Sequence, residues 1–591
     1  MDPIVDNEHS NLLGTKRKSW MERNSIKYAA ITFVILVTGS LFLWSTPSNP
    51  NKGQEEFKGR LVTGYQGAVA VEAEECSDVG IQVLKDGGNA VDSSIASALC
   101  IGVIDSFATG IGGGGFMLIR SPNGTYEFID FRETAPAASH KDMFIDQPDL
   151  AKYGGMAVGV PGEIRGFELA HSRHGKLPWK ALFEPAIKLA RGGFKTTRLL
   201  EKRLQSGKPW MENSTEWTDV FAPQGHLAKA GELIKRTQLA NTLEIIANEG
   251  ADAFYVGTLA QHMVNTTQAA GGILTLEDMA SYRPLIRPAI HTYYHGRKVV
   301  TCSAPTSGPV ILSVLNLLER FNLKMLGNTG LNVHRLVEAF KFGYAFRTEL
   351  GDPEFTQNYE RLDEIVSKEW SSIVRKNISD ETTFDPMYYQ PKFDHVDTHG
   401  TMHLSVVDKN DGAVALTSTV NLLFGARLLD PVTGVIMNDE MDDFSIPGKP
   451  NTFGLYPSAY NYAAPGKRPL SSITPVIIER DSEFEIAIGG SGGSGIPTAT
   501  LDVILNVIDY DMDLYEAIAS PRVHHQLIPN AAIVEHDYDQ KMGGYLEEKG
   551  HDVVFLDKSL SATAVQAVGR LTNGRVIAAS DPRKYGIAAA Y

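Results

Sequence analysis

The chain has 591 residues, 43% of them hydrophobic, and a formal net charge of -15 at pH 7. This length suffices for several average domains or for one large enzyme domain with a deep core. No basic stripe occurs beyond the extreme N-terminus. Because phosphate binding requires a concentrated basic surface, the acidic balance argues against a nucleic-acid-binding protein.

The N-terminal region predicts a membrane anchor. Residues 28–46 carry no charge and begin with "YAAITFVILVTGSLFLW", which is nearly long enough to span a bilayer as a helix. Basic residues are concentrated in residues 1–27, so the positive-inside rule leaves this tail in the cytosol. A stalk at 47–60 then leads to an extracellular or lumenal body, in type II topology at the plasma membrane or the vacuolar membrane. A cleaved signal peptide is the alternative, but the apolar run exceeds a usual signal core and no clear small-residue cleavage site follows.

Cysteine usage and glycosylation signals fit a body outside the cytosol. With three cysteines the chain is not a disulfide scaffold, although Cys76 and Cys100 could pair in an oxidising compartment and leave Cys302 odd. Four sequons follow the anchor. They predict glycosylation at Asn123, Asn213, Asn265 and Asn377.

Beyond the stalk, helical and strand patterns alternate along the chain. Three stretches have helical periodicity: residues 76–104, broken at Gly87 and Gly88, then 239–250 and 334–350. From about residue 401 onward strands dominate, in "HLSVVD", "AVALTSTV", "EFEIAIGG" and "AAIVEH", with 498–510 predicted to be helical. Mixed sheets covered by helices indicate a layered α/β or α+β body.

A small Gly400-Thr401 step precedes the first of these strands. In a strand alternate residues share a face, so Thr401, His403 and Ser405 point one way while the residues between them point into the core. A threonine hydroxyl is a poor nucleophile without a base. If the chain were cut before Thr401, the freed α-amine, with a pKa near ~7.7 to 8.0, would supply that base. Taken alone, the step is more typical of an ordinary strand start.

The order of several motifs changes this interpretation. The stretches "DTHGTMHLSVV", "TSTVNLLFG", "NDEMDDFS", "GKRPLSSITP" and "GGSGGSGIPTAT" follow one another, and "GIGGGGFML", "DFRETAP", "VGVPGEIRGFELAHSRHGKLPW", "SAPTSGPV" and "EAFKFGYAFRTELGDPEF" precede them. With the C-terminal "SDPRKYGIAAAY", they make the chain resemble the γ-glutamyltransferase family, also called glutathione hydrolases. The resemblance covers most of the chain beyond the anchor.

The resemblance implies a four-layer αββα sandwich of the N-terminal-nucleophile hydrolase type, preceded by one transmembrane helix. Such a protein is made as a precursor that cleaves itself, here between Gly400 and Thr401. Residues 61–400 would form the large subunit and residues 401–591 the small catalytic subunit, as a heterodimer within one intertwined catalytic domain. Cys76 and Cys100 resemble a disulfide pair of the animal enzymes.

The resemblance also implies how the glutamyl end of the substrate is held. Arg132 looks like the family's bidentate arginine for the α-carboxylate, with Ser471 and Ser472 as further donors. By itself, an arginine at this position is more often a surface charge. The residues that match the family's ammonium-binding positions are Asn421, Glu440 and Asp443. Without the resemblance, "NDEMDD" indicates a solvated acidic loop or a calcium-like cluster, although its spacing is not that of an EF-hand.

The remaining family positions concern the nucleophile. Thr419 resembles the residue that supports it by a hydrogen bond, and Ser405 lies on its strand face and is assigned to substrate binding. Gly492 and Gly493 would offer backbone N–H groups to the tetrahedral oxyanion. "GGSGGSG" has no lysine for a phosphate-binding loop, and a tight turn is its structural alternative.

No cofactor or metal is expected. His399 and His403 flank the cut, where they would make a poor zinc cage. The glycines of "GIGGGG" (110–115) are predicted to allow close backbone packing near the pocket.

The implied activity is acyl transfer. Thr401 attacks the γ-carbonyl of glutathione or another γ-glutamyl amide, and water or an amino-acid or peptide amine accepts the acyl group. Two alternatives remain open: a related acylase that removes side chains from β-lactam antibiotics, and an uncleaved, non-enzymatic type II ectodomain.

Overall fold

The structure, a computed structural model, describes residues 59–394, 400–557 and 563–591. The predicted cytosolic tail, the anchor at 28–46 and almost all of the stalk lie outside these residues, as does His399. Within the described ranges, no helix is both long and apolar enough to cross a membrane.

The strands alternate with helices in the first two thirds of the chain and dominate the remainder. In chain order they are β1 (Val62–Gly64), β2 (Ala68–Ala70), β3 (Gly114–Arg120), β4 (Tyr126–Phe131), β5 (Phe194–Lys195), β6 (Leu233–Ile234), β7 (Leu285–Arg287), β8 (Ala289–Tyr294), β9 (Arg297–Cys302), β10 (Met402–Val407), β11 (Ala413–Thr419), β12 (Leu428–Leu429), β13 (Ile436–Met437), β14 (Val476–Arg480), β15 (Glu483–Ser491), β16 (Val523–His524), β17 (Ala532–Val534), β18 (Val553–Phe555), β19 (Ala564–Arg570), β20 (Val576–Ser580) and β21 (Ala589–Ala590).

The helices occupy most of the segment between residues 74 and 374. In chain order they are α1 (Glu74–Lys85), α2 (Ala90–Ile104), α3 (Glu163–His174), α4 (Trp179–Gly192), α5 (Arg198–Met211), α6 (Thr215–Phe221), α7 (Thr237–Glu249), α8 (Asp252–Tyr255), α9 (Thr258–Ala269), α10 (Leu276–Ser281), α11 (Gly308–Leu318), α12 (Leu323–Leu326), α13 (Gly330–Arg347), α14 (Pro353–Thr356), α15 (Tyr359–Ile365), α16 (Lys368–Val374), α17 (Ile496–Ile508), α18 (Leu514–Ala519) and α19 (Gln540–Glu548).

Two seven-stranded antiparallel sheets form the centre. The first sheet has the order β1-β20-β19-β15-β14-β9-β8, and the second has the order β21-β2-β10-β11-β3-β4-β7. Both sheets take strands from either side of the Gly400-Thr401 bond, and β10 and β11 lie in the middle of the second sheet. The segments before and after this bond are therefore interleaved rather than separate.

Three layers of hydrophobic side chains hold the fold together: one lies between the two sheets, and one lies between each sheet and the helices that cover it. Helix α2 packs on β10 and β11, the two sheets meet face to face through β10, β11, β15 and β19, and α17 packs on β15 and β19. Side chains such as Leu118 and Ile477 fill the space between the sheets. The order is helix, sheet, sheet, helix, and the chain is an α/β sandwich as the sequence predicts.

The predicted elements occur where the periodicity places them. The two helices expected in 76–104 are α1 and α2, separated at Gly87 and Gly88. The Asn89 side chain accepts hydrogen bonds from backbone N–H groups of the first turn of α2. The Asp92 side chain in turn accepts a hydrogen bond from the Asn89 backbone N–H. Such a capping box satisfies backbone donors that the first helical turn leaves without partners.

The two faces of β10 are both buried, for different reasons. Met402, Leu404 and Val406 lie in the core shared with the helices, as the alternation predicts. His403 and Ser405 face the first sheet and are also 0% exposed. A central strand in a four-layer sandwich has no solvent face, so its polar side chains must find partners inside the protein.

The disulfide expected from the resemblance is present. Cys76 of α1 and Cys100 of α2 are bonded, with 5.4 Å between their Cα atoms, and Cys302 is a buried free thiol. The four sequon asparagines, Asn123, Asn213, Asn265 and Asn377, are exposed. This exposure is what a glycan requires, and glycosylation itself stays a prediction.

We predict that the disulfide contributes about 3 kcal/mol to the free energy of unfolding, because it closes a loop across a sequence separation of 24 residues. Chemical denaturation of the wild type with and without reductant measures this. Cys302→Ala is the matched control and should respond to reductant as the wild type does, whereas the Cys76→Ala/Cys100→Ala double variant should not respond. Free thiols at both positions in non-reducing peptide mapping would contradict the pairing.

Candidate active site

Thr401 immediately precedes β10, is 3% exposed and follows Gly400 in the chain. Gly400 has φ +46°, and a Cβ built on it would lie 1.8 Å from the backbone oxygen of Asn421. No side chain fits in that space. The residue before Thr401 is therefore restricted to glycine by the backbone that follows β11.

Two hydroxyl groups converge on the carbonyl of this peptide bond. The Thr401 hydroxyl contacts the Gly400 carbonyl oxygen, and Thr419 Oγ1 donates to the same oxygen at 2.9 Å. Thr419 Oγ1 in turn accepts from the backbone N–H of Asn421 at 2.8 Å. In the uncut chain Thr419 thus reaches the carbonyl of the Gly400-Thr401 bond, whereas the sequence predicts a bond to the Thr401 hydroxyl. The carbonyl is polarised by a donor beside the hydroxyl that would attack it.

Arg132 forms the centre of a buried charge cluster directly after β4. Its Nη1 lies 2.5 Å from Glu440 Oε1, its Nη2 contacts Asp443 Oδ2, and it also donates to the Leu470 carbonyl at 3.3 Å. Arg132 and Glu440 are each 1% exposed and Asp443 is 2% exposed. We call Arg132, Glu440 and Asp443 the donor group. Arg132 is neither a surface charge nor compatible with a calcium ion between the same two carboxylates.

Burial shifts the proton affinities in and around the donor group. Burial raises the pKa of Glu440 to about 8 against the lowering effect of Arg132, and it raises the pKa of Glu133 to about 8. The pKa of Asp443 is raised well above its usual range by burial and by Glu440. For Arg132, burial lowers the pKa, but Glu440 and Asp443 outweigh it and raise the pKa. A further cation in this pocket would favour the ionised carboxylates.

The two predicted serines lie beside the donor group. Leu470, the acceptor from Arg132, precedes Ser471 and Ser472. Ser471 Oγ accepts from the backbone of Ile473 at 3.2 Å, and Ser472 Oγ accepts from Arg347 at 2.8 Å. The second, fully buried guanidinium of Arg347 lies within the quoted "EAFKFGYAFRTELGDPEF", but no role is assigned to it from the sequence, because only the structure places it beside Ser472.

Asn421 and the predicted oxyanion glycines occupy turns with positive φ. Asn421 has φ +73° and donates through Nδ2 to the Asp439 carbonyl at 3.2 Å. Gly492 and Gly493 have φ of +115° and +71°, directly after β15. The chain then enters a short 3-10 turn and α17, so the glycine pair lies at a helix N-terminus, where backbone N–H groups are free to bind negative charge.

Ser405 has no hydrogen bond to the donor group in the described residues. It lies four residues along β10 from Thr401, or about 13 Å at ~3.3 Å per residue. Its hydroxyl bonds instead to His403 Nε2 at 3.0 Å and to the Gln566 carbonyl at 3.3 Å. A substrate-binding role for Ser405 has no support from these contacts.

His403 and the glycine run have structural roles. Both ring nitrogens of His403 are hydrogen-bonded, to Thr417 and Ser405, and burial lowers its pKa to about 3. A Cβ on Gly113 would lie 2.0 Å from the Thr419 carbonyl oxygen, and one on Gly115 would lie 2.1 Å from that of Thr417. The prediction that the 110–115 glycines permit close backbone packing beside the site is confirmed.

A separate buried cluster of His334, Glu338 and His551 is chemically able to ligate a metal. His334 Nε2 bonds to the Ser379 carbonyl at 2.7 Å, and its Nδ1 lies 2.8 Å from His551 Nε2. The carbonyl fixes the His334 proton on Nε2, so His551 donates to His334. With the Lys341 ammonium 4.0 Å from Glu338, hydrogen bonds and an ion pair account for the cluster.

Three residues near Thr401 were not identified from the sequence: Glu72, Ser491 and Lys584. Lys584 contacts Thr401, and it also bonds to Glu72 and Ser491. Lys584 occurs in the quoted "SDPRKYGIAAAY", and Ser491 in "GGSGGSG". No local signal marks Glu72, because "VEAEE" is an ordinary acidic stretch.

Comparison with known sequences gives a consistent result. Residues 76–591 match the gamma-glutamyltranspeptidase family. Glutathione hydrolase proenzyme 1 of Schizosaccharomyces pombe is 43% identical over 592 residues, covering 96% of this chain and 93% of the relative. The glutathione hydrolase proenzyme of Arthroderma benhamiae is 46% identical, with 88% and 92% covered, and that of Escherichia coli is 37% identical, with 94% and 97% covered.

Solved structures share the fold. A cephalosporin acylase from Bacillus halodurans superposes with a TM-score of 0.79 at 25% identity, covering 93% of this chain and 99% of the acylase. The gamma-glutamyltranspeptidase of Helicobacter pylori gives a TM-score of 0.52 at 32% identity, covering 54% of this chain and 93% of that one. On the extent of the family match and the identity to its members, the chain belongs to the gamma-glutamyltranspeptidase family.

Proposed function

We propose that the protein is a self-cleaving γ-glutamyltransferase and glutathione hydrolase. The observation that carries this is the pair of hydroxyls, Thr401 and Thr419, on the carbonyl of Gly400, with a buried donor group for a zwitterion in the same protein. Relatives named glutathione hydrolase proenzyme, matched over most of both chains, support the same substrate and the same processing.

Self-cleavage is the first step. Thr401 Oγ attacks the Gly400 carbonyl carbon, the hydroxyl proton passes to the Thr401 nitrogen, the C–N bond breaks, and the acyl group moves from nitrogen to oxygen as an ester. Thr419 stabilises the developing oxyanion through its hydrogen bond. Water then opens the ester, which leaves a carboxylate on Gly400 and a free α-amine on Thr401.

Catalysis uses the same oxygen. The Thr401 α-amine takes the hydroxyl proton as Oγ attacks the γ-carbonyl of glutathione or a conjugate. The N–H groups of Gly492 and Gly493 hold the oxyanion, and cysteinylglycine leaves with the proton. Water, or the amine of an amino acid or peptide, then resolves the γ-glutamyl ester.

The donor group recognises the substrate by exchange of ion pairs. The α-carboxylate of the glutamyl group takes the place of the Glu440 and Asp443 carboxylates on the Arg132 fork, with hydroxyls of Ser471 and Ser472 beside it. The α-ammonium then binds Glu440, Asp443 and Asn421. The zwitterion thus supplies one carboxylate for Arg132 and one ammonium that Glu440 and Asp443 share.

We further propose the assembly and placement that the sequence predicts. Residues 61–400 and 401–591 remain together as large and small subunits, since each sheet contains hydrogen-bonded strands of both. A signal-anchor helix at 28–46 places this body outside the cytosol, at the plasma membrane or the vacuolar membrane. Exposure of the four sequon asparagines and the Cys76–Cys100 disulfide support that side of the membrane.

The β-lactam side-chain acylase is the second candidate, since an acylase has the same fold. A γ-glutamyl anilide and a glutaryl anilide differ only in the α-amine, so their comparison separates the two activities. We expect kcat/KM for the γ-glutamyl substrate to be higher by about 10²-fold or more, because the glutaryl compound leaves buried carboxylates unpaired. Asp443→Asn should reduce this ratio. A preference for the glutaryl anilide would favour the acylase.

Removing the nucleophile tests self-cleavage and catalysis together. Thr401→Ala should leave one uncut chain and lower γ-glutamyl transfer by about 10³-fold or more. Thr401→Ser keeps the oxygen but loses the methyl group that restricts its rotamer, so it should be cut slowly and retain partial activity. N-terminal sequencing of the wild-type small chain should read Thr-Met-His-Leu-Ser. A different start, or an active uncut Thr401→Ala protein, contradicts the mechanism.

Arg132→Lys tests the carboxylate fork. Lysine offers a point charge instead of two parallel donors, so binding of a γ-glutamyl anilide should weaken by roughly 1.5 to 3 kcal/mol, at least about tenfold in KM. Arg236→Lys is the matched control, because Arg236 is also buried but donates to the carbonyls of Gly102 and Gly434. It should lower stability without raising KM. An unchanged KM for Arg132→Lys would count against the role of Arg132.

A further inference from the structure

A buried lysine contacts the nucleophile residue. Lys584, 7% exposed, ends the short 3-10 helix after β20. Its Nζ donates to the Thr401 carbonyl oxygen at 3.0 Å, to Ser491 Oγ at 2.7 Å and to Glu72 Oε1 at 2.9 Å. An ammonium has three hydrogens, and these three acceptors use all of them. The lysine therefore has one arrangement, and that arrangement fixes the Thr401 carbonyl.

The same ammonium connects Thr401 to the predicted oxyanion loop. Ser491 is the last residue of β15 and immediately precedes Gly492. The Ser491 hydroxyl also donates to Glu72 Oε1, at 2.5 Å, so it is bonded to both the Lys584 ammonium and the Glu72 carboxylate. Glu72 follows β2 and belongs to the segment before the cut, whereas Ser491 and Lys584 follow it. Both future subunits thus contribute to one closed network beside Thr401.

We propose that Lys584, held by Glu72 and Ser491, is a positioning residue for the threonine nucleophile. It sets the placement of Thr401 relative to the glycine pair and, after cleavage, lowers the proton affinity of the Thr401 α-amine so that the amine acts as a base near neutral pH. This role rests on the proposed function, in which the α-amine accepts the hydroxyl proton.

The electrostatic part follows from covalent geometry. The α-nitrogen and the carbonyl oxygen of one residue are about 3 Å apart, so the Lys584 ammonium lies within roughly 6 Å of the amine. A cation at that distance disfavours the protonated amine, and the Glu72 carboxylate has the opposite effect. Removing either charge should move the titration of the amine, and in opposite directions.

Other titratable groups surround this network. Burial, together with Glu72, raises the pKa of Asp105 to about 8. Burial lowers the pKa of His403, in the strand that follows Thr401, to about 3, so this histidine is neutral near neutral pH. The charged or titratable groups that face Thr401 or its neighbours are Glu72, Glu75, Asp105, Arg203 and Lys584 around the network, and Arg132, Glu133, Asp439, Glu440 and Asp443 around the donor group. Among these charged and titratable groups, all within the described residues, only Lys584 donates a hydrogen bond to Thr401.

The test is the pH dependence of kcat/KM for a γ-glutamyl anilide, whose acid limb reports protonation of the base in the free enzyme. Lys584→Met should lower kcat by about 10²-fold through misplacement of the nucleophile, and should move the acid limb up by about one pH unit. Glu72→Gln should move the acid limb down. Lys584→Arg should restore most of the activity and the wild-type limb.

The controls separate positioning from folding. Lys341→Met removes another buried lysine, one that bonds to Thr383 and the Phe384 carbonyl, and should leave the acid limb unmoved. If Lys584→Met is not cut, Lys584→Arg and Glu72→Gln decide the question on cleaved enzyme. If the acid limb does not move in Lys584→Met and Glu72→Gln, or if it moves in the same direction in both variants, the proposed role of Lys584 is wrong. An uncut or inactive wild type would instead overturn the proposed function.

Discussion

The pairing of β10 with β11 determines the geometry of the whole site. Met402 lies opposite Ser418, which places Thr401 next to Thr419, and the chain then turns so that the Asn421 carbonyl approaches Gly400. That approach is possible only without a side chain at residue 400. The Gly400-Thr401 bond is therefore held between two strand ends in the middle of a sheet, with hydrophobic core on both faces.

Buried charge is the second constraint on the site, and it is the basis of the substrate specificity that we propose. Arg132, Glu440 and Asp443 carry a high desolvation cost, which is recovered only when each charge has a partner. Without substrate they pair with one another. Under the proposed function, a γ-glutamyl group supplies a carboxylate for Arg132 and an ammonium shared by Glu440 and Asp443, so each buried charge again has a partner. Under the proposed function, a substrate side chain without the amine would leave Glu440 and Asp443 buried without a cation, which is the basis for the expected discrimination against a glutaryl compound.

Interleaving of the strands explains how such a protein survives its own cleavage. The first sheet places β9 from before Gly400 beside β14 from after it, and the second sheet places β11 beside β3 in the same way. Backbone hydrogen bonds and three core layers thus cross between the future subunits. The contact of Glu72 with Lys584 and Ser491 belongs to this interleaving, and it brings a carboxylate of one segment to the nucleophile of the other.

The sequence by itself determined the secondary-structure elements and, through the order of its motifs, the expectation that Thr401 is a nucleophile. The glycine break between α1 and α2, the alternation of β10 and the glycine before Thr401 are local features, because backbone conformation and side-chain periodicity depend on near neighbours. Arg132 was identified by its motif, but only the tertiary structure pairs it with Asp443, 311 residues away. In the same way only the structure shows that Ser405 bonds to His403 and the Gln566 carbonyl, and that Lys584 contacts Thr401. Contacts at such separations depend on the order of strands in the sheets, which local periodicity does not encode.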